Sequence, residues 1–190
     1  MTTLQLAAIG SVEPDMLLKA GAVLTGGLGV AVDQIGALEM PGDAYDPVRR
    51  QYSAVALLRA AANAHSAQPT RLIAMTEADL SIPMLTFVFG QAQLGGRVAV
   101  VSLARLRPEF YGLRPDNALF YQRLTKELLH ESGHLFGLVH CSNRRCPMSL
   151  STSILEVDVK SDSYCPSCAA LLAGSISPSG GARSTTEKSP

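Results

Sequence analysis

Net charge is the first property that the sequence lacks. Its 16 lysine and arginine residues are balanced by 16 aspartate and glutamate residues, so the formal net charge at pH 7 is zero. A chain without net charge has no long-range field to draw it to nucleic acid or to an acidic membrane. We therefore expect no nucleic-acid partner and no membrane partner, and any partner has to be recognised by a local site.

Long apolar runs are also missing. The longest mostly apolar stretches, 54–62 and 98–103, are far shorter than the roughly 20 residues that a transmembrane helix needs. The N-terminal residues carry no basic side chain before their short apolar run, which is not the pattern of a secretory signal peptide. We expect a cytoplasmic chain without a transmembrane segment.

Cysteine is scarce, and all four cysteines lie in one C-terminal stretch as two close pairs, Cys141 with Cys146 and Cys165 with Cys168. Four thiolates suit a closed tetrahedral zinc site, and in a reducing cytosol such a cluster favours metal over disulfides. We expect a structural zinc, with disulfides or free buried thiols as the alternative. A zinc ribbon that binds nucleic acid is disfavoured, because basic and acidic residues balance within this segment.

Strand and helix patterns alternate along the first part of the chain. Apolar runs and helical spacing predict strands at 4–9, 30–34 and 71–76 and helices at 14–25 and 46–67. The first helix is predicted to stop at Gly26 and Gly27. Asp46 is predicted to cap the second helix, with Pro47 as its first residue.

Two further segments complete the predicted fold. Runs at 85–93 and 97–103 flank Gly95 and Gly96 as the arms of a hairpin, and a last long helix is predicted from Asp116 or Asn117 to about Phe136. The order of elements indicates an α/β (α+β) fold, in which helices pack on a mixed, twisted sheet.

A histidine motif lies at the end of that last helix. It reads His130-Glu131-Ser132-Gly133-His134-Leu135-Phe136-Gly137-Leu138-Val139-His140, or H-E-x-x-H-x-x-G-x-x-H. Histidines four residues apart share one helix face, so both imidazoles can reach one metal ion. Gly137 allows the chain to reverse in a left-handed conformation, which returns His140 as a third ligand. Three protein ligands leave a tetrahedral zinc open to water, as catalytic zinc sites do.

Glu131 has the chemistry of a catalytic base in this motif. Zinc lowers the pKa of a bound water from ~15.7 to about 7, and a carboxylate beside a ligand can accept the proton as the water attacks a peptide carbonyl. The same carboxylic acid can protonate the leaving amine. The alternative interpretation is a helix that carries solvated histidines.

The length of 190 residues favours a single domain. From Gly174 onward the residues are mostly Gly, Ser, Thr and Pro, with too few apolar side chains to offset the entropy of ordering. We expect one catalytic domain at 1–173, containing the Cys-rich structural zinc segment 141–168, followed by a disordered tail at 174–190.

With both clusters in view, the sequence resembles the archaemetzincin family of metzincin zinc peptidases. The family signature joins the extended histidine motif to a following Cys, then to Cys-x-Met and Cys-x-x-Cys. The matching segments here are His140-Cys141, Cys146-Pro147-Met148 and Cys165-Pro166-Ser167-Cys168, and upstream Phe87-Val88-Phe89-Gly90 and Gly96-Arg97-Val98-Ala99.

The resemblance implies a compact metzincin-like domain with an active-site helix, an antiparallel edge strand and a small zinc-stabilised C-terminal subdomain. It further implies two zinc ions per chain, one catalytic and one structural, with Met148 as the methionine beneath the catalytic zinc. Peptidase activity on a peptide or protein substrate follows from it, with an aminopeptidase-like mode as one option. The competing function is a catalytically weak, zinc-stabilised peptide-binding protein, against which Glu131 argues. The sequence carries no signal for an oligomeric state.

Overall fold

A computed structural model describes residues 3–65 and 70–176 of the chain. The strands within these ranges are β1 (Thr3–Ala8), β2 (Ala31–Gln34), β3 (Tyr45–Asp46), β4 (Gln51–Ser53), β5 (Arg71–Thr76), β6 (Leu80–Ile82), β7 (Leu85–Val88), β8 (Gly90–Ala92) and β9 (Val98–Ser102). The helices are α1 (Pro14–Leu28), α2 (Ala54–Ala64), α3 (Asn117–Leu135), α4 (Ile154–Val159) and α5 (Pro166–Ile176), with short 3-10 turns at Ala104–Leu106 and Pro108–Tyr111.

The main sheet has five strands in the order β2-β1-β5-β9-β8. All neighbours in it are parallel except β8, which pairs antiparallel with β9 through Gln91 and Val100. The predicted α/β class and the mixed sheet with an antiparallel edge strand are therefore confirmed. β8 is the edge strand at one end of this sheet, and it packs against α3.

Alternating residues of the sheet build two apolar layers. Leu4 and Leu6 of β1 pack in one buried cluster with residues of α1 and α3, while Ala7 of the same strand packs in a second cluster with Leu57 of α2. Successive side chains of a strand point to opposite faces, so one sheet supports both layers. The result is a sheet covered by α1 and α3 on one face and by α2 on the other.

The second helix begins later than predicted. Asp46 does accept backbone hydrogen bonds from Val48 (2.9 Å) and Arg49 (3.1 Å), which is the geometry of a cap. The turn ends at Arg50, whose φ of 55° cannot continue a right-handed helix. The chain then forms β4, and α2 starts at Ala54 with the Ser53 side chain as its cap.

The predicted hairpin also needs correction, because its first arm is divided between two sheets. β8 pairs with β9 in the main sheet, whereas β7 pairs with β6 in a separate sheet of order β3-β4-β6-β7. Sequence patterns did not predict β6 or this second sheet. The two sheets meet at Phe89, the residue between β7 and β8.

The first helix runs three residues beyond its predicted end at Thr25. Gly27 stays helical and faces α3, where a Cβ on Gly27 would lie 2.6 Å from Leu129 Cδ2. Glycine here permits two helices to approach closely. The helix ends at Gly29, whose φ of 66° is left-handed and whose N–H donates to Thr25 O at 3.0 Å.

The C-terminal segment packs on the main apolar layer. Val157, Cys146, Cys168 and Leu172 belong to the same buried cluster as α1 and α3. α5 extends through Ile176, so the predicted start of the tail at Gly174 lies inside a helix and is wrong by at least three residues. The remainder of the predicted tail, 177–190, lies outside the described residues. Among the described helices, none is both long and apolar enough to cross a membrane.

Candidate metal centre

Two of the predicted histidine ligands project from the last turns of α3. Asp116 caps this helix by accepting the N–H of Leu119 at 3.0 Å. The Nε2 atoms of His130 and His134 lie 3.1 Å apart. Two nitrogens bound to one tetrahedral zinc at about 2.0–2.1 Å would be roughly 3.3 Å apart. The pair therefore has the separation that a shared zinc ion requires.

The third histidine returns through a left-handed turn. Gly137 has a φ of 89°, and the N–H of Leu138 reaches back to Gly133 O at 2.9 Å. His140 then lies with its ring centroid 5.4 Å from that of His130 and 5.0 Å from that of His134. One ligand atom from each of the three histidines lies within 4.8 Å of the others.

Backbone carbonyls orient the two helical imidazoles. His130 Nδ1 is 2.7 Å from Pro147 O, and His134 Nδ1 is 2.8 Å from Leu138 O. A carbonyl can only accept, so each Nδ1 carries the proton and each Nε2 presents a lone pair. Burial lowers the pKa of His130 well below its ordinary value and also lowers the pKa of His134 and His140. Neutral imidazoles with aimed lone pairs fit a zinc ion.

Glu131 lies beside the three histidines, where β8 closely approaches its carboxylate. Its side chain is buried, and an ideal Cβ on Gly90 of β8 would lie 2.6 Å from Glu131 Oε1. Its Oε2 has no hydrogen-bond partner among the described residues. Burial raises the pKa of Glu131 well above its ordinary value, and the neighbouring Glu127 raises it further.

Met148 lies directly behind the active-site helix. It is fully buried, and a Cβ on Gly133 would overlap its Sδ atom. The peptide before it contributes Pro147 O to His130, and Met148 O accepts the N–H of Cys141 at 2.9 Å. The turn around Met148 thus supports both the helix and the segment that follows His140.

A cavity of about 480 Å³ opens in front of the histidines. Residues of β7 and β8 form one wall, and Val139 and Leu150 contribute to the rest of the lining. Two further side chains in the lining, Gln91 and Ser151, have a buried oxygen without a hydrogen-bond partner among the described residues. The cavity is mostly apolar with a few polar groups, which is typical of a ligand site.

The four cysteines come together at a second position. Their Sγ atoms lie within 4.8 Å of one another, and those of Cys141 and Cys165 are 3.9 Å apart. Two sulfurs on one tetrahedral zinc at about 2.3 Å would be roughly 3.8 Å apart. The N–H of Cys168 is the main cause that lowers the pKa of Cys165 to about 7, whereas burial raises the pKa of Cys146 and Cys168. The set has the spacing and chemistry of a closed zinc site.

Sequence patterns missed several residues of the site. Gly90 of β8 lies against Glu131 of α3, and the ion pair of Glu127 and Lys160 lines the cavity. A glycine inside a strand is a sign of close approach, and this could have pointed to Gly90. Lys160 carries no such sign, since only the tertiary fold brings it to α3.

Known proteins match both the sequence and the fold. The sequence model of Peptidase family M54 matches residues 13–173. The archaemetzincin of Methanocaldococcus jannaschii is 43% identical over 131 residues, covering 69% of this chain and 71% of that protein. The crystal structure of archaemetzincin from Methanopyrus kandleri is 40% identical with a TM-score of 0.79, covering 92% of this chain and 95% of that one. The zinc-dependent peptidase of Methanocorpusculum labreanum is 31% identical with a TM-score of 0.80, covering 89% of this chain and 99% of that one.

These similarities and the fold define a class, the zinc metallopeptidases, which are hydrolases of peptide substrates. Within that class the chain belongs to Peptidase family M54, and its relatives are archaemetzincins. The resemblance indicated by the histidine and cysteine motifs is confirmed.

Proposed function

We propose that this chain hydrolyses peptide bonds with His130, His134 and His140 as ligands of a catalytic zinc and Glu131 as the general base. The observation that carries the proposal is the convergence of three histidine nitrogens within 4.8 Å, at the wall of a cavity that Glu131 also lines. No fourth protein ligand accompanies them among the described residues, which leaves room for water and a substrate carbonyl.

When bound, zinc would polarise the peptide carbonyl and lower the pKa of the attacking water. Glu131 accepts one proton from that water as the new C–O bond forms. It then delivers the proton to the amide nitrogen as the C–N bond breaks, so that the products are a free amine and a carboxylic acid. A carboxyl group at the cavity wall is suited to this exchange, because the same group can accept and return the proton.

The substrate backbone has a natural docking site at the edge strand. β8 is an edge strand of the main sheet and lines the cavity. An extended peptide can add to such an edge as a further strand, held by hydrogen bonds between its backbone N–H and C=O groups and those of β8.

We further propose a second, structural zinc held by Cys141, Cys146, Cys165 and Cys168. Four ligands from one cluster close a tetrahedral site and leave no position for substrate. The segment 141–168 would then be a zinc-stabilised subdomain of one catalytic domain at 1–173. A cluster of four cysteines without a disulfide is typical of a reducing compartment, so we also propose a cytoplasmic location.

The test is Glu131→Gln, beside wild type, with zinc content and peptide cleavage measured on both. The amide keeps the shape and loses the basicity, so we expect two zinc ions per chain in both proteins and a loss of rate of ~100- to 10,000-fold in the variant.

New termini from a mixed peptide library, identified by mass spectrometry, would separate the aminopeptidase-like mode from internal cleavage. Cleavage by the zinc-loaded variant at the wild-type rate would remove Glu131 from the mechanism. Peptide binding by wild type without any cleavage would favour the weak peptide-binding function.

A further inference from the structure

A buried ion pair forms part of the cavity wall beside the catalytic residues. Glu127 lies on α3 one turn before His130, and Lys160 directly follows α4. Lys160 Nζ is 3.2 Å from Glu127 Oε1, and the two side chains are 1% and 3% exposed. Both residues line the same cavity as the histidines and Glu131. Any substrate side chain that fills the inner part of this cavity meets two opposite charges.

Other polar contacts also attach α4 to α3. Arg123 of α3 already holds Asp158 of α4 through two hydrogen bonds of 2.7 and 2.8 Å, and Lys126 Nζ donates to Asp158 O at 3.0 Å. A buried ion pair contributes little net stability, because desolvation offsets the attraction. Its place at the cavity wall therefore points to a role in binding rather than in stability.

The pair leaves hydrogen-bonding capacity unused. An ammonium group has three N–H donors, and Lys160 has one acceptor, Glu127 Oε1, among the described residues. Glu127 has a second oxygen that can accept. This part of the cavity wall thus offers donors from Lys160 and an acceptor from Glu127 within one small region.

We propose that Glu127 and Lys160 form a specificity subsite for an uncharged amide side chain, glutamine or asparagine, adjacent to the scissile bond. The amide carbonyl accepts from Lys160 and the amide NH₂ donates to Glu127, so one group satisfies both partners. A carboxylate would be repelled by Glu127 and an ammonium by Lys160. An apolar side chain would leave both charges without added partners. The inference rests on the peptidase function proposed above.

The first test uses the unmodified protein and matched peptides. Zinc-loaded wild type is given peptides that differ only at one residue flanking the cleaved bond, as Gln, Glu, Lys or Met. We expect kcat/KM to favour Gln by about 10- to 100-fold over each of the others, as for hydrogen bonds to charged groups. Binding of the same peptides to the Glu131→Gln protein, measured by calorimetry, should follow the same order without turnover.

Two variants test the assignment of the partners. Glu127→Gln removes the negative charge, so we expect the preference to move from the Gln peptide to the Glu peptide. Lys160→Met leaves Glu127 alone, and we expect the Lys peptide to gain instead. Asp158→Asn is the matched control, because it makes the same carboxylate-to-amide change at the α3–α4 contact outside the cavity lining. It should lower the melting temperature and leave the order of peptides unchanged.

The outcomes separate the two proposals. Equal kcat/KM values for all four peptides, or a preference for Met, would overturn the amide subsite while leaving the peptidase function intact. The expected binding order without any hydrolysis would count against the peptidase function and support the subsite. If neither variant folds, the wild-type peptide series still decides the inference.

Discussion

Gly90→Ala is the substitution that most directly tests how Glu131 is positioned. An ideal Cβ at this position would lie 2.6 Å from Glu131 Oε1 and 2.7 Å from the backbone oxygen of Val100. Gly90 is not among the glycines with positive φ, so backbone conformation is no obstacle to alanine. The effect of the substitution therefore comes from the close contacts with Glu131 and Val100.

The size of the effect follows from the distances. Carbon and oxygen atoms in contact are normally about 3.3 Å apart, so each contact demands a movement of roughly 0.6–0.7 Å. Val100 lies in β9, which is paired with strands on both sides, so its backbone oxygen resists movement. Much of the displacement therefore falls on the Glu131 carboxylate. A misplacement of about 1 Å can cost 10²-fold in rate, and overpacking costs about 1–3 kcal/mol of stability. We expect kcat/KM to fall by about 100-fold and the melting temperature to drop.

The assay compares zinc content, thermal melting and peptide cleavage of Gly90→Ala with those of wild type. Zinc content should be unchanged, because Gly90 is not in the ligand set. Gly26→Ala is the control: nothing lies within 4 Å of the added Cβ, and the residue sits in α1 away from the cavity. It should keep the rate and gain about 0.5–1 kcal/mol of stability from the better helix former. A Gly90→Ala protein with wild-type kcat/KM would refute the idea that β8 positions Glu131.

Two further substitutions test the support of the metal sites. Cys165→Ser should lose the structural zinc, lower the melting temperature and weaken retention of the catalytic zinc, because Cys141 directly follows His140 and is tied to Met148 O. If one zinc is lost while melting temperature and rate stay at wild-type values, the cysteine cluster is independent of the active site. Gly133→Ala should force Met148 out of its buried position, with a loss of about 1–3 kcal/mol and weaker zinc binding in a chelator titration. Unchanged melting would show that the packing of Met148 against the helix is loose.

Local sequence signals conflicted with tertiary pairing at Asp46. Asp46 and Pro47 carry the pattern of a helix start, and Asp46 makes the expected capping bonds. The helix does not form because Gln51–Ser53 pairs with β3 and β6 instead, with Tyr52 opposite Leu80. A strand pairing across almost thirty residues of sequence has no local signature, so the local pattern predicts a helix that starts too early.

Gly26 and Gly27 are a second place where the local sequence pattern and the tertiary structure differ. Two consecutive glycines predict a helix stop, because glycine loses the most backbone freedom on ordering. In the structure Gly27 is where Leu129 of α3 approaches α1, and the helix continues to Leu28. Packing between helices outweighs the local cost, and that packing partner is about a hundred residues away in sequence.

By itself the sequence determined the chemistry that depends on short spacing. His130 and His134 share a helix face, Gly137 reverses the chain toward His140, and the cysteines occur as two close pairs, because each relation spans only a few residues. Tertiary structure alone decided which distant groups surround that chemistry. Gly90 lies against Glu131 only because β8 takes the sheet edge beside α3, and Lys160 reaches Glu127 only because the C-terminal segment folds back onto that helix. Such contacts depend on which surfaces pack together, a property that residue spacing along the chain does not encode locally.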